Sequence, residues 1–382
     1  MSVETVISLS ILLGLSYLIW RLNRTKIIYK TRVNRDKSSS SKRSLKSSLY
    51  SENIKEELVN EVKATNSNFE LPADFLAFKL YLPETLDDEQ QEVIQDIIQS
   101  FRKPHPLLIP LIRGGFEPNE LFDLIKTDAE MTAKVLNVVN SPLFSLRQPI
   151  TNINHAIIFL GITQVKNIAT QLAVQHNLKL TDQAQNDAYK NLWMASYLAS
   201  SFCLLLAKEV GEENAAELST HCLLSYLGDL AILPYRPSVA GFYLDDYSLF
   251  ERAKVFQETM GINTAVVGKS LAQQWQLPKT IETGIEYSLS PLINGAVNKG
   301  LSAETLRHIL LCYISCRLAD LVAFGSLRRL SESKVLSFED TGIVEFYYTQ
   351  NNINKAGLDK INTLLNDVSF RKKINKIIEQ HY

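Results

Sequence analysis

An all-helical body is what the sequence predicts, and three observations predict it. From Ser51 onward apolar residues recur with a period near 3.6. No run of alternating apolar and polar residues long enough for a strand interrupts them. Pro, Gly, Asn and Asp fall between the periodic segments and imply short loops. No internal repeat is visible. With 382 residues, 46% hydrophobic and 21% charged, the chain can bury a large core.

The elements follow in order. Residues 88–101 make an amphipathic helix that turns Val93, Ile94, Ile97 and Ile98 inward. Pro118 suits a first helical position, and a short helix over 120–126 follows. Asp128 is an N-cap for the next helix, whose buried stripe is Met131, Val135, Val138 and Val139. That helix ends near Asn140, because Pro142 disfavours helical geometry at Ser141. Thr151 or Asn152 starts another, which Gly161 ends, and Thr163 can cap the one after it. A long helix covers about 185–210 and closes at Gly211, and a further one spans 218–233 until Pro234 and Pro237. Helices also cover 305–324 and an amphipathic segment with Leu358, Ile361, Leu364, Leu365 and Val368 inward.

A different composition precedes this body. Residues 6–22 are mostly apolar, and Glu4 is the one charge in the first twenty residues. About 17 residues is the lower limit for a helix crossing a bilayer, so the segment is short but sufficient. Trp20 lies where an interfacial aromatic belongs, and Arg21, Arg24 and Lys26 follow. By the positive-inside rule the carboxyl-terminal side is cytoplasmic. A cleaved signal peptide would place its basic residues before the apolar run, so an uncleaved single-pass anchor over residues 1–23 is expected. Residues 21–46 hold ten Lys or Arg and one acid, Asp36, while the whole chain sums to −1. Residues 24–49 read as a disordered tether, attracted to anionic lipid headgroups by about 1 kcal/mol per basic residue. Specific nucleic-acid binding is not expected of a basic arm adjoining a membrane span.

The most specific stretch is 128–161. Asp128 opens a helix that ends in Asn140-Ser141, a short loop follows, and a second helix ends in Leu160-Gly161. This pattern closely resembles the hallmark of the HD-related output domain (HDOD) family. That family is built on the helical scaffold of the HD metal-dependent phosphohydrolases and works in bacterial signalling. The resemblance implies an HD-like helical bundle over 95–298, with 50–94 as a helical lead-in and 299–382 as a carboxyl-terminal helical extension.

It also supplies addresses for a metal site. The scaffold's first ligand histidine lies in a motif like Trp-x-His-Ser, and here the segment is Trp193-Met194-Ala195-Ser196. Its His-Asp pair lies in a motif like Gly-Leu-Leu-His-Asp-Ile-Gly, and here Ser225-Tyr226 stands within Cys222-Leu223-Leu224-Ser225-Tyr226-Leu227-Gly228. Gly261-Ile262-Asn263-Thr264 replaces Gly-Ile-Asp-His, and Tyr287-Ser288-Leu289 lies where a His-His pair would follow. Ala195, Ser225, Tyr226, Thr264 and Ser288 thus mark vacated metal positions, since apolar and hydroxyl side chains do not anchor such an ion. The resemblance therefore implies a non-catalytic signalling module, without metal or cofactor, that binds a protein partner or a small ligand.

Two rival readings stay open. The old pocket could bind a nucleotide without hydrolysing it, with Arg113, Lys134 and Arg147 as available cations. A rearranged hydrolase site is the other. His105, His155, His176, His221, His308 and His381 offer no evident cluster. His308, Cys312 and Cys316 share a helix face, but one helix supplies poor tetrahedral geometry. Cys203, Cys222, Cys312 and Cys316 read as reduced core residues.

Overall fold

The structure, a computed structural model, describes residues 69–379 except 102, 142, 143, 145, 147, 177, 294–300, 326 and 331–334. The expected anchor, the tether and the first part of the lead-in lie outside the described residues, as do Arg147 and His381. Among the described residues every regular element is a helix, and no helix is long and apolar enough to cross a membrane. Residues 66–382 form one compact unit.

The chain enters through α1 (Ala73–Ala77) and α2 (Asp88–Ser100). Asp87 caps α2 by accepting from the Gln90 amide, and Gln90 returns the bond to the Asp87 amide. Then come α3 (Leu108–Arg113), α4 (Pro118–Lys126), α5 (Ala129–Val139), α6 (Ile153–Leu160) and α7 (Ile162–Val174), which pack on one another through Leu121, Ile125, Val135, Ile157 and Val165. Burying each such aliphatic side chain contributes about 1.5–3 kcal/mol before entropy is charged. The expected Thr163 cap is not used: α7 starts at Ile162, directly after Gly161, because that glycine already turns the chain.

The centre of the unit is α8 (Gln183–Val210), which packs against α9 (Ala215–Leu224) and α14 (Ala303–Ala323). Small residues on α8, Ala195, Ala199, Ser200 and Cys203, are fully buried and let its neighbours approach closely. The predicted single helix over 218–233 is two helices, α9 and α10 (Leu227–Tyr235), broken at Ser225-Tyr226. Pro234 does not stop α10 but sits inside its last turn.

After α11 (Leu249–Met260) come α12 (Thr264–Gln274) and α13 (Lys279–Glu286). α10 meets α12 at glycine: a Cβ on Gly228 would stand 1.9 Å from the Thr264 carbonyl oxygen, and one on Gly268 would stand 3.2 Å from the Gly228 nitrogen. The last elements are α15 (Phe338–Thr341), α16 (Tyr347–Lys355), α17 (Lys360–Asn366) and α18 (Val368–Glu379). Both α17 and α18 touch α8. Leu358, Ile361 and Leu365 are buried as expected, but Val368 is 56% exposed because Asp367 breaks the segment and α18 begins on a new face.

Candidate functional site

The signature residues build a latch. Asp128 accepts the Met131 amide at 2.7 Å and meets Nε2 of His105 at 3.0 Å. The amide bond holds its carboxyl below the ordinary range, and the imidazole adds to that. Asn140 closes the loop between α5 and α6: its Nδ2 donates to Leu136 and Ile150 carbonyls, and its Oδ1 accepts the Ile150 amide at 2.7 Å. Ser141 Oγ donates to the Val138 carbonyl. Gly161 has φ of +89°, open to glycine and strained for other residues, and ends α6 beside the half-buried Leu160. These residues shape the backbone around the α5–α6 loop, and none of them lines either cavity described below.

The vacated positions do converge. Ser225 and Tyr226 at the α9–α10 break, Thr264 at the start of α12 and Ser288 after α13 line one cavity of about 30 Å3. Ala195 does not reach it; it is buried on α8. What faces that cavity was not foreseen. Tyr226 donates its hydroxyl to Oδ1 of Asp320 at 2.7 Å. The other oxygen of Asp320 accepts from Arg252 at 2.5 Å and from Arg317 at 2.6 Å. Arg252 also stacks on Phe324, 4.7 Å from the ring centre, and Arg317 on Tyr313 at 5.4 Å. Asp229 accepts from the Tyr243 hydroxyl at 2.9 Å, and burial raises its carboxyl to about 6.

This donor set does not fit a divalent metal. Asp320, the carboxylate with suitable charge, is already shared by two guanidiniums and a phenol. Asp229 leans towards its neutral form because burial disfavours its charge. Two buried cations, Arg252 and Arg317, already line the cavity and would repel a third. Removing one partner from such a buried pair leaves an uncompensated charge, at a cost of about 3–5 kcal/mol, so the cluster does not open readily.

The cations named from sequence lie elsewhere. Arg113 reaches the Gln276 carbonyl, Lys134 pairs with Glu130 at 2.6 Å, and neither lines the cavity. Arg252, Arg317, Asp229 and Asp320 were missed, although Arg317 and Asp320 stand three residues apart in the mostly apolar second half of α14. That spacing signals a buried ion pair.

A second, more open cavity of about 200 Å3 adjoins the first and shares Ser225, Gly284, Ile309 and Cys312 with it. His221 and His308 line it. Each imidazole faces an acid: His221 lies 3.4 Å from Glu217, and His308 lies 3.2 Å from Glu212. The His221 imidazole beside it draws the Glu217 carboxyl down to about 2.

Comparison with known proteins bears on residues 111–291, which match the family model described as the HDOD domain. An uncharacterized protein of Treponema pallidum is 25% identical over 172 residues, 44% of this chain. The chain spans 33% of that relative's length. An HDOD domain protein of unknown function from Geobacter sulfurreducens is 15% identical, with a TM-score of 0.48 over 75% of this chain and 98% of its own. A Shewanella amazonensis protein provisionally called a phosphohydrolase is 18% identical, with a TM-score of 0.47 over 76% of this chain and 98% of its own. The 128–161 latch lies inside the matched stretch, and residues 111–291 of this chain are an HDOD domain.

Proposed function

We propose that this HDOD protein is a non-catalytic signalling module, tethered to a membrane, that works by binding a protein partner. The observation that carries the reading is the Arg252–Asp320–Arg317 cluster beside Tyr226, with hydroxyls at the addresses of metal ligands. A site filled by its own cations has exchanged Lewis-acid chemistry for structural closure. The partner surface we assign includes Ile158 and Phe159, which are 81% and 59% exposed on α6, next to the latch. Large apolar side chains exposed side by side are a recognised mark of interaction surfaces.

The test is turnover. The full chain, supplied with Mn2+ or Mg2+ and cyclic dinucleotide or model phosphodiester, should show no hydrolysis above buffer. Metal-dependent hydrolysis abolished by Tyr226→Phe or Thr264→Ala would sink the reading.

Residues 6–22 supply the anchor in this account, and the basic run at 21–46 supplies orientation and lipid attraction. A periplasm-only reporter fused after Tyr382 should stay silent. A strong signal would reverse the orientation.

A further inference from the structure

The structure assigns a second site, distinct from the vacated one: we propose that Cys203, Cys222 and Cys312 bind a soft divalent metal ion such as Zn2+ as a three-thiolate set. The three cysteines come from three helices, α8, α9 and α14, yet their sulfurs all lie within 4.8 Å of one another. A Zn–S bond of about 2.3 Å with tetrahedral angles sets sulfurs about 3.8 Å apart. The widest pair therefore has to close by about 1 Å at most, well within side-chain movement. Thiolate is the ligand type that selects such ions over Mg2+ or Ca2+.

Access and charge agree with this assignment. Cys203 and Cys222 are fully buried, while Cys312 is half-buried and lines the 200 Å3 cavity. That cavity is the route by which an ion arrives and protons leave, and it leaves room for a water at the fourth position. Binding breaks three S–H bonds and forms three metal–sulfur bonds. Three protons pass to solvent, and nothing is oxidised or reduced. The resulting group has a charge of −1, and the cavity beside it is lined by His221 and His308, each facing an acid, and by Lys279, which pairs with Glu282. A monovalent ion would leave a larger uncompensated charge in the interior, which burial penalises. Cys316 is outside the set; its thiol points to the Cys222 carbonyl at 3.9 Å. Before binding, Cys222 and Cys312 also donate to carbonyls, of Cys312 and Leu218, so the thiols are held in place while protonated.

Cd2+ is the probe. Titrated into the reduced full chain, it should give a sulfur-to-cadmium charge-transfer band that saturates at one equivalent. X-ray absorption of the wild-type complex should count three sulfur neighbours. Cys203→Ala, Cys222→Ala and Cys312→Ala should each lose the saturable band, and Cys316→Ala should keep it. The wild-type sulfur count stands even if a buried variant fails to fold. A count of two or fewer, or a band lost in Cys316→Ala and kept in Cys312→Ala, overturns the assignment. The sulfur count reads the thiols alone: none of the three is an address of the old metal site, although Cys312 lines both cavities.

Discussion

Asp229 is where burial and charge compete most openly. Its neighbours include Arg252, which stabilises the carboxylate, yet desolvation wins and the folded value stands at about 6 against an ordinary 3.8. The sign is therefore that of a raised carboxyl. Between about pH 4 and pH 6 the folded chain keeps a proton that the unfolded chain has released, so this residue's contribution to stability falls as pH rises through that window. The gap from 3.8 to about 6 corresponds to roughly 3 kcal/mol. Asp229→Asn should retain the acceptor for Tyr243 and remove the ionisation. Urea melts should find the variant more stable than wild type above pH 6, with the difference shrinking towards pH 4. A variant less stable at pH 7 would show instead that Asp229 is a needed counter-ion for Arg252.

At the scale of elements, the helices were legible where periodicity and caps agree. The Asp128 and Asn152 caps, the end at Val139 and the Gly211 stop of α8 all follow from local chemistry that a sequence displays. The break between α9 and α10 was not legible, because Ser225, Gly228 and Asp229 are spread singly among apolar residues and each is also tolerated inside a helix. It arises from tertiary packing, where Gly228 lets α10 lie against the Thr264 backbone. Partners were equally hidden. Nothing local says that Arg252 on α11 reaches Asp320 on α14, 68 residues away, or that three cysteines from three helices meet. The α6 helix carries its own prediction. Ile153, Ala156 and Ile157 face the core while Ile158 and Phe159 face out, so Ile158→Asp with Phe159→Asp should leave the melting temperature unchanged. The same double variant should lose, in side-by-side cross-linking from native membranes, a protein that wild type retains. Retention of that protein by the variant would move the partner surface elsewhere.

Across the whole molecule, the chain divides chemically. A short apolar run and a basic stem precede a helical body that holds the excess acid. Within that body four of the addresses that the family resemblance gives to metal ligands, Ser225, Tyr226, Thr264 and Ser288, line one cavity, and all four carry hydroxyls. The sequence, through the family resemblance, supplied those addresses. It did not show what took their place, since a guanidinium pair assembled from α11 and α14 leaves no contiguous motif. The central claim is that this place is held by the protein's own cations, and the most direct test is anomalous diffraction from crystals of the protein grown with Mn2+. The account predicts no manganese peak between Tyr226, Thr264 and Ser288, with the Arg252 and Arg317 side chains ordered on Asp320. A peak there, with either arginine displaced from Asp320, would contradict it.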